Sequence, residues 1–450
     1  SRHFDDGQHN GVQGNMSKQR ATYSPKWYQD AFRWFYSLIL ALLIPFAFFT
    51  LVKRGMTRQK DYSRRRFERF GYVAHAPKAN GYLFHCVSVG EVVAASVLIK
   101  RIMQEQPERQ ITVTTTTPTG SARVRAIFGD KVHHFYLPYD LHMAMAGMLR
   151  RIKPSVVFIT EVELWPNLIH ACWKRDIPVM VVNARMTDRS ARRYAKFPIL
   201  FEPMLHKLAH VCAQGDRDYA NYRFLGMPES KLTLTNNIKF DQASALDASV
   251  SGFLGLEHSG RKVLVGGSTH DPEETVLLQT YQAVKKHCPQ LLLVLVPRHP
   301  ERFETVARLI HKSGLAMTQS ASANSVSDDC DVLLVNEMGK LNAVYAVADF
   351  AFVGGSIADR GGHNALEPAA RKLPVMMGPN TYNNPVICAK LAESGALFIV
   401  EDAAAMTELT LSWCKNADAA ALAGLAGYTV LEQNSGALDK TMKVVELYNN

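Results

Sequence analysis

The residue types most suited to transfer chemistry sit in short polar clusters at the ends of apolar runs. Ser88-Val89-Gly90-Glu91 is the first. Gly90 permits a tight turn, and Glu91 falls at the start of a helical pattern, where a carboxylate can take a proton from an attacking hydroxyl. A helix-opening Glu that complements the helix dipole is the plainer alternative, and on this motif alone the stronger one. Thr160-Glu161-Val162-Glu163-Leu164-Trp165-Pro166-Asn167 places two carboxylates one residue apart after another apolar run. One of them is suited to stabilising a cationic sugar centre, with helix capping as the alternative. Lys239, in Asn237-Ile238-Lys239-Phe240-Asp241, is a cation placed to meet a leaving phosphate or a sugar carboxylate, or simply a solvated lysine.

A second group lies nearer the C-terminus. Phe350–Val353 reads as a strand buried on both faces, followed by the pairs Gly354-Gly355 and Gly361-Gly362 and then His363, Asn364 and Glu367, with a helix expected from about Asn364. Strand, glycine loop and helix N-terminus in that order present backbone N–H groups to phosphate, although an ordinary strand-to-helix turn has the same glycines. Asn364 and Glu367 stand where a ribose or base would be met. Gly267-Ser268-Thr269-His270 and Pro297-Arg298-His299-Pro300-Glu301-Arg302 each end an apolar run. Arg298 suits a phosphate or a base, with surface solvation as its alternative. Asp216-Arg217-Asp218 and Asp329-Cys330-Asp331 have the form of a metal-binding Asp-x-Asp, but the first reads as a helix start and the second precedes a strand. No metal site is expected.

These clusters need two sets of strands to position them. Apolar runs at 82–88, 111–116, 132–137, 155–160, 178–184 and 210–214 alternate with helical patterns, as do runs at 262–268, 291–297, 331–335, 350–355 and 374–378. Such alternation gives a parallel sheet covered by helices on both faces. The expected fold is therefore α/β, with two Rossmann-like domains in series facing each other across a cleft, and ligand groups at the strand C-termini. We read residues 1–33 as a leader with a disordered polar start, 34–52 as a membrane anchor, and 53–80 as a basic juxtamembrane segment. An N-terminal domain spans 81–235, a linker 236–260, and a C-terminal domain 261–450 whose last helix packs back on the first domain.

The stretch WFYSLILALLIPFAFFTLV, 34–52, carries no charge and is just long enough to cross a hydrocarbon core, with Pro45 as a kink. Spanning and shallow insertion both fit it. Lys53, Arg54, Arg58, Lys60, Arg64, Arg65, Arg66 and Arg69 follow, which puts the rest of the chain in the cytoplasm and holds it against anionic head groups. A net charge of +10 favours anionic partners without distinguishing nucleic acid, lipid or sugar phosphate. The seven cysteines are scattered and never form C-x-x-C, which argues for buried free thiols and against a disulfide framework or zinc site.

Taken together, SVGE at 88–91, TEVELWPN at 160–167, NAR at 183–185, STH at 268–270, PRHPER at 297–302 and GGHNALEP at 361–368 resemble the bacterial 3-deoxy-D-manno-octulosonic acid (Kdo) transferases, glycosyltransferase family 30. The likeness runs from the anchor to the C-terminus. It implies an inverting, metal-independent enzyme of the GT-B fold that needs no cofactor. The enzyme would move Kdo from CMP-Kdo to a lipid A precursor (lipid IVA) in lipopolysaccharide biosynthesis at the cytoplasmic face of the inner membrane. Its implied partners are CMP-Kdo, the lipid A precursor and anionic inner-membrane lipids, with no nucleic acid. Carried over by motif, the general base falls on Glu91 and transition-state stabilisation on Glu161 and Lys239. The nucleotide site falls on Pro297, Arg298, Met338, Gly339, Lys340, Asn364, Ala365, Leu366 and Glu367, and the acceptor and membrane surface on Arg64, Arg65, Arg66 and Arg69.

Two departures from the family pattern stand out. Asp-Thr-Met-Gly-Glu-Leu is here Asn336-Glu337-Met338-Gly339-Lys340-Leu341, which turns an acidic position basic, and Thr-Gly-Asn is here Thr235-Asn236-Asn237. Asn tolerates a left-handed backbone, so the turn is expected to persist. The alternatives are a GT-B enzyme using another nucleotide sugar and a catalytically inactive membrane-bound homologue.

Overall fold

The computed structural model describes residues 23–449 except 58–65, 72, 74, 163 and 247. The chain forms two compact units, one made of the residues up to Asp241 together with those from Gly436 onward, the other of Gln242–Ser435. Each is built on a seven-stranded parallel sheet.

In the first unit the strands are β1 (Tyr82–His85), β2 (Ile111–Thr115), β3 (His133–Tyr136), β4 (Val156–Thr160), β5 (Val179–Ala184), β6 (His210–Ala213) and β7 (Leu232–Leu234), in the order β3-β2-β1-β4-β5-β6-β7. All four residues of β1 are buried because helices cover both faces of the sheet. Leu83 joins one core, while Tyr82 and Phe84 join the other. Phe84 stacks on Phe158 of β4 at 4.3 Å between ring centroids. The final helix, Ala437–Glu446, belongs to this unit and contributes Ala437, Met442, Val444 and Val445 to its core. Its start is fixed by Asp241, whose two carboxylate oxygens accept from the Gly436 and Leu438 amides at 2.7 Å each. A carboxylate there satisfies donors that a helix start leaves open and complements the dipole.

The second unit holds β8 (Lys262–Thr269), β9 (Leu291–Pro297), β10 (Met317–Gln319), β11 (Val332–Leu334), β12 (Phe350–Val353), β13 (Val375–Met377) and β14 (Leu397–Ile399), ordered β10-β11-β9-β8-β12-β13-β14. In both sheets the strand order reverses beside the first strand, between β1 and β4 and between β8 and β12. Crevices at strand C-termini form at such switch points. The sheets exceed the sequence expectation by β7, β10 and β14, each three residues long and each at a sheet edge.

The helix expected over 34–52 runs longer, from Trp27 to Thr57. Among the described residues it is the one helix long and apolar enough to cross a membrane, over Trp27–Thr50. Arg64 and Arg65 lie outside the described residues, and only the backbone of Arg66 is described, opening the 3-10 turn Arg66–Phe70. Arg69 departs from the membrane-surface expectation. It is 8% exposed, lies over the Tyr136 ring at 4.3 Å and donates from Nη2 to the Thr116 carbonyl at 2.6 Å. Its guanidinium fastens this turn to the first sheet and is withheld from a lipid surface.

Candidate active site

Glu91 is held by a reciprocal cap. Ser88, in extended conformation at φ −116°, ψ 170°, precedes the helix Val89–Glu105, and its Oγ accepts from the Glu91 amide at 3.5 Å. Glu91 Oε1 accepts in return from the Val87 amide at 3.3 Å. Serine and a glutamate three residues on have the capping-box spacing, closed here on the amide one residue before the N-cap. The structural alternative for Glu91 is therefore real, and it orients the carboxylate at the same time. Glu91 is 7% exposed.

Glu161 follows β4, the neighbour of β1 across the switch point, and adopts a left-handed φ of 64°. A non-glycine residue in that region is rare and is favoured where its backbone is pinned from both sides. Here the Glu161 amide donates to Val182 O at 3.1 Å and its carbonyl accepts from the Arg185 amide at 3.0 Å. The companion Glu163 lies outside the described residues. Cys86, directly after β1, is fully buried between the two strands that lead to these carboxylates. Its thiol is pushed far up, first by burial and further by the charges of Glu91 and Glu161, against the pull of the Thr160 hydroxyl at 3.5 Å. Both carboxylates thus lie within electrostatic reach of one buried sulfur.

Asn183 links Glu161 to the backbone around Lys239. The β5–β6 register slips between Val181 and Ala184, and Asn183 sits in that irregularity at φ 50°. Bulges re-aim side chains, and this one sends Asn183 Nδ2 to Glu161 Oε1 at 3.2 Å and to Asn237 Oδ1 at 3.3 Å. Asn183 Oδ1 accepts from the Ile238 amide at 3.0 Å, and Asn237 Oδ1 from the Lys239 amide at 3.0 Å. Lys239, half-buried, is the second residue of the helix Ile238–Ser244, which the sequence suggested was linker. Asn236 does take a left-handed φ of 67°, so the turn is kept without glycine.

In the second unit the expected nucleotide residues follow β9, β11 and β12. Pro297 closes β9, and Arg298 after it is exposed. Met338, Gly339 and Lys340 form an exposed turn between β11 and the helix Leu341–Ala346, with Gly339 at φ 79°. The basic departure at Lys340 therefore stands at the exposed surface. Asn364 and Ala365 precede the helix Leu366–Ala370, which starts two residues later than expected, and Asn364 Oδ1 accepts from the Leu366 amide at 2.9 Å. Burial raises the Glu367 carboxyl above the usual range, and Arg298 opposes that. Arg298 also helps to hold His363 neutral, so its charge reaches both.

The glycine loop does not present free donors along its first half. The amides of Gly355, Ser356, Ile357 and Ala358 all donate to the Glu273 carboxylate, at 2.9, 3.0, 2.9 and 3.2 Å, and the His270 amide joins them at 2.9 Å. The loop is shaped by an internal anion, and a phosphate has no call on those groups. Gly354 is needed for close approach, since a Cβ there would lie 2.2 Å from the Ser268 carbonyl. Ser268 itself sits at a register shift in β8 with φ 54°, as Asn183 does in β5. His270 Nε2 and His363 Nε2 lie 2.8 Å apart, so one must donate and the other accept. Both imidazoles are held neutral, each down to about 4, by burial first and then by neighbouring cationic or imidazole groups.

Sequence reasoning missed Glu273 and its neighbour Glu274. Both are fully buried, and Arg302 grips Glu274 with two bonds of 2.8 and 2.7 Å. Two adjacent carboxylates opening a helix after Asp271-Pro272 were the available signal, masked because acids at helix starts are common. One aspartate of each Asp-x-Asp pair is engaged by the fold. Asp218 accepts from the Met186 amide at 2.7 Å and pairs with Arg217, while Asp331 pairs with Lys285 and accepts from Tyr281 and the Ala316 amide.

Two parallel seven-stranded sheets with polar clusters at both switch points define a glycosyltransferase-type, GT-B nucleotide-sugar fold. Solved structures share it at low identity. One is a UDP-GlcNAc 2-epimerase from Neisseria meningitidis (TM-score 0.54, 14% identity, 82% of this chain and all of that one). Another is a glycosyltransferase from Rickettsia africae (TM-score 0.51, 13% identity, 83% of this chain and 100% of that one). Residues 64–242 match the family model described as 3-deoxy-D-manno-octulosonic-acid transferase (kdotransferase). The chain is 37% identical to the 3-deoxy-D-manno-octulosonic acid transferase of Haemophilus influenzae, over 92% of this chain and 98% of that one. It is 32% identical to that of Bordetella pertussis, over 82% and 88%. The chain belongs to the Kdo transferase family of lipopolysaccharide biosynthesis.

Proposed function

We propose that the chain transfers Kdo from CMP-Kdo to a lipid A precursor of the lipid IVA type, with inversion and without a metal, at the cytoplasmic face of the inner membrane. The observation that carries this reading is the placement of Glu91 and Glu161 after the paired strands β1 and β4 at the switch point, with Asn183 bonded to Glu161 and to Asn237, which in turn accepts from the Lys239 backbone amide.

In this reading the bond from Kdo C2 to the phosphate oxygen breaks, and CMP leaves with the electron pair. The acceptor oxygen bonds to C2 while its proton passes to Glu91. C2 gains oxocarbenium character, which the Glu161 carboxylate favours electrostatically. Lys239 meets the leaving phosphate or the sugar carboxylate. Arg298, the Met338–Lys340 turn and the residues from Asn364 to Glu367 hold the nucleotide. The apolar helix and the basic segment after it bring the enzyme to its lipid acceptor.

The test is an assay in detergent with purified protein, freshly made CMP-Kdo and a tetra-acylated, bisphosphorylated lipid A precursor, with and without EDTA, read by mass spectrometry. A product heavier by one or more Kdo units and unaffected by EDTA is expected. EDTA-sensitive transfer would refute metal independence. Absence of product with CMP binding intact would refute the acceptor.

A further inference from the structure

The face that the helix Trp27–Thr57 turns to the first unit carries polar residues in its first half and apolar ones beyond. Arg33, 5% exposed, donates from Nη1 to Asn167 Oδ1 at 2.8 Å and lies 3.1 Å from His142 Nδ1. Tyr36 OH donates to Asp140 Oδ2 at 3.0 Å, and Asn167 Nδ2 donates to Ser37 Oγ at 2.7 Å. The stripe continues through Ile44, 7% exposed, to Phe48, whose ring meets Phe70 at 5.3 Å. Its spacing of 33, 36, 37, 40, 44 and 48 is that of one helix face. Just before the helix, Tyr23 stacks on His206 at 4.9 Å.

The opposite face is exposed and apolar. Leu42, Phe46 and Phe49 are 66, 75 and 69% exposed, and Phe35, Leu38 and Leu43 are more than half exposed beside them. A contiguous apolar surface of this length marks a membrane or partner contact. Lys26 and Lys53, exposed towards the two ends of the helix, suit anionic head groups around an apolar strip.

These two faces decide between the modes of attachment that hydropathy leaves open. A helix crossing the bilayer has lipid all round it, so the contacts from Tyr23 to Phe48 would have to break. At 1.5 Å per residue the helical part of those contacts, from Arg33 to Phe48, extends over roughly 22 Å, most of a hydrocarbon core. Breaking them would place Arg33 in lipid and strip partners from Asp140 and Asn167, both 0% exposed. We propose that the helix lies in the plane of the membrane, strapped along its polar stripe to the first unit, with its apolar face sunk into one leaflet and both of its ends on the same side as the catalytic body. The proposal rests on the membrane-surface reading above and adds the topology.

The test uses the full chain in its native membranes with an epitope at each end. Protease is applied to spheroplasts and to inverted vesicles. Both epitopes are expected to be lost in the same preparation and retained in the other. Loss of the two in opposite preparations would overturn the in-plane proposal while leaving the membrane reading intact. Failure of the protein to float with membranes would overturn the membrane reading itself. As a second readout, a Tyr23→Cys, His206→Cys pair should be joined by a short bis-maleimide in intact membranes. A crossing helix separates those positions by the bilayer, so a yield no higher than with either single variant would refute the strap.

Discussion

Glu91 carries two roles in one side chain, and the capping geometry separates them. Glutamine at 91 keeps an Oε1 able to accept from the Val87 amide, so the box closed by Ser88 survives and only the proton acceptor is lost. General-base catalysis is worth about 10²- to 10⁴-fold, or roughly 3–5 kcal/mol of barrier. Glu91→Gln should therefore lower kcat by at least about a hundredfold, with a stability change below about 0.5 kcal/mol. Glu91→Ala removes the base and the cap together, adding a stability loss of about 0.5–2 kcal/mol. Ser88→Ala is the complement: a similar loss of stability with much of the rate retained. The measurements are single-turnover Kdo transfer, CMP titration and denaturant unfolding on all three variants. Near-normal turnover in Glu91→Gln would refute the base assignment and leave Glu91 as a helix cap.

Three further outcomes follow from the second unit. Glu273→Gln turns one acceptor oxygen into a donor facing two or three backbone amides. At about 1.5–3 kcal/mol per bond to a charged group, a destabilisation on the order of 3 kcal/mol or more and weakened CMP binding are expected by denaturation and calorimetry. Arg298→Ala should lower CMP affinity about tenfold or more with little change in unfolding midpoint, because the residue is exposed but its charge reaches His363 and Glu367. His270 and His363 have folded pKa values depressed from 6.5 to about 4. The unfolded chain therefore binds more protons between those values, and stability should fall as pH drops from about 6.5 to about 4. His270→Gln should flatten that slope in denaturation curves collected across the range.

Much of the fold was legible because parallel strands buried on both faces must be continuous apolar runs. β9, with all seven residues buried, is the clearest of them. The three strands that escaped notice, β7, β10 and β14, are edges, where one side of the ladder is unpaired and the chain need not be apolar throughout. Glu91, Glu161 and Lys239 were legible as chemical types at strand ends. The partners that aim them were not, since Asn183 lies 22 residues from Glu161 and 54 from Asn237.

By itself the sequence determined the two-sheet plan, the polar clusters at strand C-termini and the presence of one long apolar helix, because composition and periodicity act locally along the chain. Only the tertiary structure decided where the charges went. It drew Glu273 onto amides 82 to 85 residues away, closed Arg69 over Tyr136, and turned the polar stripe of Arg33, Tyr36 and Ser37 inward with apolar side chains outward. Hydropathy adds up residues regardless of the direction they face, whereas a buried charge is tolerated only where a particular partner meets it, and that partner is supplied by the fold.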